Sequence, residues 1–123
     1  MSWRVLVVED EPDGREVVSE MLKLFNIAVD AVSSAEDALN YLVTTHYSGV
    51  IIDLHLPGMD GWSLLKAIRS APHTSHLPCI AITAYHNSTV KYEAMIAGFD
   101  AFLPKPLDDS VFVRELNRVL ADS

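Results

Sequence analysis

Apolar residues in this chain gather in short β-branched runs, separated by longer stretches in which they return once per helical turn. Arg4 to Val8 is a valine-rich run, and Gly49 to Ile52 and Cys79 to Ile82 are two more. Uninterrupted runs of this length suit strands covered on both faces of a parallel sheet. Ala28 to Val32 and Ala101 to Leu103 are weaker candidates of the same kind. Over Asp13 to Phe25, Val17, Val18, Met21, Leu22 and Phe25 recur at one-turn spacing and predict an amphipathic helix. Ser33 with Glu36, or Ser34 with Asp37, is a capping-box start for a second helix, carried by Ala38, Leu39 and Leu42 and ending near His46. A third begins around Asp60 to Gly61, carries Leu64, Leu65 and Ile68, and ends before Pro72. A fourth runs over Ser88 to Ala97, with Gly98 placed to end it in a left-handed conformation. The fifth starts near Asp108 and carries Phe112, Val113, Leu116, Val119 and Leu120.

Strand and helix thus alternate five times. That pattern predicts an α/β fold: an open, doubly wound parallel sheet of five strands with helices on both faces. The order 2-1-3-4-5 is a common solution, and ligands then bind beyond the carboxyl ends of the strands, where the winding reverses. No internal repeat, linker or second domain is visible, and residues 1–123 read as one unit. Ser70 to Pro78 is the one loosely structured stretch of any length.

Half of the 123 residues are apolar, so a core large enough to bury about two-thirds of the unfolded surface is expected. No apolar run approaches the ~20 residues of a membrane span, and the stretch opening Met-Ser-Trp-Arg lacks the long apolar segment and small-residue cleavage site expected of a signal peptide. A soluble, cytoplasmic protein is expected. Cys79 stands alone, which excludes an intramolecular disulfide and a cysteine-based zinc site. His46, His55, His73, His76 and His86 follow no ligand spacing. The net charge of −8 argues against direct nucleic-acid binding, which needs clustered lysine and arginine.

The strand ends carry the chemistry. Glu9-Asp10-Glu11-Pro12-Asp13 follows the first run, Asp53 the third, Thr83-Ala84 the fourth and Pro104-Lys105-Pro106 the fifth. In the expected order Asp10 and Asp53 sit on strands roughly 4.8 Å apart, and Lys105 lies roughly 10 Å from Asp53, within reach of its stem. Converging Glu9, Asp10 and Asp53 repel one another unless a cation intervenes, and hard oxygen donors in small number suit Mg²⁺. Such a cluster points to phosphoryl transfer, with a carboxylate as nucleophile. Asp53, at the end of a buried run, is the candidate, and Thr83 can hydrogen-bond a phosphoryl oxygen and draw its loop inward. Glu11 and Asp13 fit a helix N-terminus instead.

Val5-Leu6-Val7-Val8-Glu9-Asp10-Glu11-Pro12, Asp53-Leu54-His55-Leu56-Pro57-Gly58-Met59-Asp60-Gly61, Thr83-Ala84 and Phe102-Leu103-Pro104-Lys105-Pro106 occur in an order and spacing that resembles the response-regulator receiver domains of two-component signalling. The resemblance covers essentially the whole chain. It implies a flavodoxin-like (βα)5 fold and phosphotransfer to Asp53 from a histidine kinase or phosphotransfer protein, with Mg²⁺ or Mn²⁺. It further implies that Asp10 binds the metal directly, Glu9 through water and His55 through its backbone carbonyl. Lys105 is expected to contact the phosphoryl group, the Lys105–Pro106 bond to be cis, and Phe102 to be an aromatic switch coupled to Thr83. His55 and Tyr85 are expected to flank the path of the hydrolytic water. An output partner or a homodimer would use the face formed by the fourth helix, fifth strand and fifth helix.

Glu9 stands where aspartate is commoner in that family, Ile96 where a charge is frequent, and Ala101 where an acid is common. An apolar partner surface around Tyr92, Met95, Ile96 and Phe102 is therefore expected. No output domain is expected in these 123 residues, and the domain is expected to assist its own phosphorylation and dephosphorylation rather than act as an enzyme. The alternative is a pseudo-receiver that binds partners without phosphorylation. A haloacid-dehalogenase-like phosphatase needs an acid two residues after the nucleophile, where this chain has His55, and Glu9-Asp10-Glu11 would repel the phosphate of a flavodoxin-like electron carrier. Three site carboxylates against Lys105 account for −2 of the −8, and the remaining −6 reads as a solubilising surface.

Overall fold

In the computed structural model, which describes residues 2–121, strands β1 (Arg4–Val8), β2 (Ala28–Val32), β3 (Gly49–Asp53), β4 (Cys79–Thr83) and β5 (Ala101–Pro104) alternate with helices α1 (Pro12–Leu24), α2 (Ala35–Thr44), α3 (Gly61–Ser70), α4 (Ser88–Ala97) and α5 (Asp109–Ala121). The strands form one parallel sheet in the order β2-β1-β3-β4-β5. Because side chains alternate across a strand, Leu6 and Val8 face one layer and Val5 and Val7 the other. The first layer packs Val50, Ile52 and Ala81 against α2, α3 and α4. The second packs Ile51, Ile80, Ile82 and Leu103 against α1 and α5. Strands β3 and β4 are buried along their whole length, which explains why their sequences read as unbroken apolar runs.

The expected strands, helices and strand order are present, with three differences. Strands β3, β4 and β5 each extend one residue further at the carboxyl end, so Asp53 and Thr83 are themselves the last ladder residues. Helix α1 buries Val18, Met21 and Leu22 but leaves Val17 54% exposed, because Val17 lies on the flank of that stripe; Phe25, 46% exposed, is already at the C-cap. The stretch after α3 is organised rather than loose. The Arg69 guanidinium donates to the carbonyls of Ser75, Leu77 and Gly98 and pairs with Asp100 at 3.2 Å. The Thr74 hydroxyl donates to the Ile68 carbonyl beneath it.

Capping chemistry sets the helix ends. Ser34 is the cap of α2, accepting from the Asp37 N–H at 3.1 Å, which decides between the two serines. Asp60 and Asn87 cap α3 and α4 in the same way. Gly98 ends α4 at φ +116°, a left-handed conformation that costs glycine nothing. Among the described residues no helix is long and apolar enough to cross a membrane.

Candidate functional site

Strands β1 and β3 are neighbours, and the helices that follow them lie on opposite faces of the sheet, α1 in the second layer and α3 in the first. Their ends deliver Glu9, Asp10 and Asp53 to one place, with one carboxylate oxygen from each within 4.8 Å of the others. Glu9 is wholly buried and Asp53 is 5% exposed. Lys105, just beyond β5, reaches across: its Nζ donates to Asp53 Oδ2 at 2.8 Å and to Glu9 Oε1. Its backbone N–H donates to the Thr83 carbonyl, joining the ends of β4 and β5, and the Lys105–Pro106 peptide is cis.

Charge here is costly. Burial first, and the neighbouring Asp53 carboxylate second, push Glu9 up to about 7, against the opposing pull of Lys105. Burial acts to lower the Lys105 ammonium, yet hydrogen bonds to Asp53 and Glu9 and their charges outweigh it and leave its pKa raised. The donor set fits a hard divalent cation: three carboxylates converge, and among the described residues no thiol or imidazole belongs to the cluster.

Backbone packing holds these groups in place. A Cβ on Gly14, in the first turn of α1, would lie 2.6 Å from Glu9 Oε1 and 3.0 Å from its Cδ. An added side chain at this position would have to displace the Glu9 carboxylate. Gly61 is similarly tight against β3, where a Cβ would come within 2.5 Å of the Asp53 carbonyl oxygen. Arg15 donates from Nη1 to the carbonyls of both Glu9 and Asp10 at 3.0 Å, fixing the loop that carries them. The His55 N–H donates to Asp53 Oδ1 at 2.8 Å, so both oxygens of Asp53 are engaged.

Thr83 is fully buried, and its Oγ1 accepts from the Tyr85 N–H at 3.0 Å and lies 3.2 Å from His55 Nδ1. The His55 ring lies against Tyr85, with centroids 4.7 Å apart and planes tilted by 56°. The ring therefore faces the threonine and stands outside the carboxylate cluster. Phe102, half-buried, packs on the layer beneath α2, α3 and α4. Helix α4 buries only Ala94 and leaves Tyr92 68%, Met95 43% and Ile96 66% exposed. His46, His73, His76 and His86 are exposed, and Cys79 is buried with its thiol pushed up to about 12 by desolvation.

The family model of the response regulator receiver domain matches residues 5–117. The chain belongs to the response-regulator receiver-domain family. This receiver domain is 42% identical over 108 residues to the response regulator protein FleR of Pseudomonas aeruginosa, covering 88% of the chain and 22% of FleR. It thus spans about a fifth of that relative's length. A putative response regulator from Chloroflexus aurantiacus superposes with a TM-score of 0.93 at 29% identity, over 98% of this chain and 99% of that one. The receiver domain of the sensor histidine kinase PA1611 from P. aeruginosa, solved with magnesium in its active-site cleft, superposes at 0.89 with 27% identity, over 98% and 99%.

Glu9, Asp10, Asp53 and Lys105 come together as the sequence of this receiver domain leads one to expect, and Thr83 joins them through His55. Gly14, Arg15 and Gly61 were not foreseen. A glycine in the first turn of an otherwise regular helix, five residues after an unusually long acid, is the signal that points to Gly14. For Arg15 and Gly61 the partners are backbone atoms, which leave no pattern in sequence.

Proposed function

We propose that this receiver domain accepts a phosphoryl group on Asp53 from the phosphohistidine of a histidine kinase or phosphotransfer protein. The observation that carries the reading is the convergence of a nearly buried aspartate with two further carboxylates and one lysine at the switch point of the sheet. An Asp53 carboxylate oxygen forms the new O–P bond as the donor's N–P bond breaks, and the donor nitrogen keeps the electron pair. Lys105, which bonds Asp53 Oδ2 at 2.8 Å, would contact the phosphoryl oxygens. Glu9, Asp10, Asp53 and the His55 backbone carbonyl would hold Mg²⁺, which when bound neutralises charge on the transferred group. Thr83 then shifts toward the phosphoryl oxygens, and Phe102 follows it on the same side of the sheet.

The output surface in this reading is the α4–β5–α5 face, where Tyr92, Met95 and Ile96 present apolar side chains to solvent. Ile96→Glu is expected to weaken self-association or partner binding of the phosphorylated protein; an unchanged sedimentation profile and partner affinity would remove that part. The primary test is intact-mass analysis after incubation with acetyl phosphate. One added phosphoryl group with Mg²⁺ and none with EDTA is expected. No labelling in either condition would instead favour a phosphorylation-independent binding module.

A further inference from the structure

Thr83 carries a hydroxyl with a single proton, and that hydroxyl is already in use. Its oxygen accepts from the Tyr85 N–H at 3.0 Å, which leaves the proton for one acceptor. Two are within reach: His55 Nδ1 at 3.2 Å and the Tyr85 carbonyl at 3.5 Å. The nearer is the imidazole, whose ring rests against the Tyr85 ring. His55 is tied to Asp53 as well, through its own N–H to Oδ1 at 2.8 Å. One residue thus touches the proposed acceptor with its main chain and the switch hydroxyl with its side chain.

From this geometry we infer that His55 is a latch: its Nδ1 holds the Thr83 hydroxyl proton in the resting state and competes with the phosphoryl group for it. The inference rests on the proposed function above, because the competitor is a phosphoryl group on Asp53. A hydroxyl cannot donate to the imidazole and to a phosphoryl oxygen at once, so activation must break the His55–Thr83 bond. His55 is a positioning residue in this account, acting through Thr83. The net contribution of a typical intramolecular hydrogen bond corresponds to roughly a two- to tenfold bias in an equilibrium. Tyr85 supports the latch twice, by the backbone N–H that orients Thr83 Oγ1 and by the ring that backs the imidazole.

His55→Phe keeps an aromatic ring against Tyr85 and removes the acceptor nitrogen, and His55 is exposed, so the fold is expected to tolerate it. The affinity for beryllofluoride, a phosphoryl mimic, is measured by ¹⁹F NMR with Mg²⁺ in four proteins: the parent, His55→Phe, Thr83→Val and the double variant. His55→Phe is expected to bind two- to tenfold more tightly than the parent, and to make no difference when Thr83 is valine. Equal affinities with threonine present, or the same gain with valine present, would overturn the latch. A second readout needs no phosphoryl mimic and so separates the latch from the proposed function. Long-range ¹H–¹⁵N spectra of the free protein are expected to show His55 as the Nε2–H tautomer, with the Nδ1 shift moving in Thr83→Val. An Nδ1–H tautomer, or a spectrum indifferent to Thr83→Val, would overturn it. Tight beryllofluoride binding without those spectral features rejects the latch alone, whereas no binding by any of the four rejects phosphoryl acceptance and the latch together.

Discussion

Gly14→Ala probes how the buried Glu9 side chain fits beneath the first turn of α1. In an ordinary helix this change stabilises by about 0.5–1 kcal/mol, since alanine loses less backbone entropy. Here the new Cβ would lie 2.6 Å from Glu9 Oε1 and 3.0 Å from Cδ, against an ordinary separation of ~3.5–4.0 Å. Glu9 cannot swing away freely: it is wholly buried, its carboxylate bonds to Lys105, and the Glu11 N–H donates to its Oε2 at 3.4 Å. Overpacking of this kind costs about 1–3 kcal/mol, and loosening the buried contact with Lys105 adds to it. A net loss of about 1–3 kcal/mol follows, or roughly 4–12 °C in Tm for a domain of this size. Glu9→Asp withdraws the carboxylate by one methylene and should relieve the clash. Thermal and urea unfolding of the parent, both single variants and the pair would form a double-mutant cycle. Gly14→Ala is expected to destabilise when residue 9 is glutamate and to be neutral or stabilising when it is aspartate. A Gly14→Ala protein as stable as the parent, or strict additivity, would mean that Glu9 yields to the added methyl at no cost.

Three further outcomes follow from the same contacts. Arg69→Gln should cost about 2 kcal/mol through the charge-assisted bonds it loses, and amide exchange should quicken over residues 72–78, the segment those bonds hold; unchanged protection there would contradict it. Lys105→Ala should tighten Mg²⁺ binding by calorimetry, because the ammonium competes for Glu9 and Asp53 oxygens; weaker binding would count against that competition. Cys79 has a thiol raised from 9.0 to about 12 by burial, so the folded chain keeps a proton that the unfolded chain releases first. Stability should therefore fall as pH rises through the window from 9 to 12, by up to about 1.4 kcal/mol per unit from this group. Cys79→Ala should flatten that slope in denaturant titrations across alkaline pH, and an identical slope would contradict the assignment.

The fold was readable because its signals are local. Parallel strands buried on both faces write themselves as apolar runs, and Ser34, Asp60, Asn87 and Gly98 mark helix ends by side-chain chemistry or backbone freedom. The carboxylates and Lys105 were readable because strand order alone places Glu9, Asp10, Asp53 and Lys105 at one edge. Contacts between side chain and distant backbone were not readable. Arg15 on the Glu9 and Asp10 carbonyls, and Arg69 on three carbonyls of two loops, have no partner residue type to betray them. The His55 ring on Thr83 was likewise hidden, since the sequence places His55 two positions after Asp53 but does not say which way its ring turns. The exposure of Val17 depends on where along its stripe α1 meets the sheet, a matter of packing angle rather than periodicity.

Phosphoryl acceptance by Asp53 is open to a direct chemical test. An acyl phosphate is reduced by borohydride to an alcohol, so the acceptor aspartate becomes homoserine and can be located by peptide mass mapping. After incubation with acetyl phosphate and Mg²⁺, homoserine is expected at position 53, with labelling abolished in Asp53→Asn. Homoserine at another aspartate in the parent protein, or undiminished labelling of Asp53→Asn, would contradict the account.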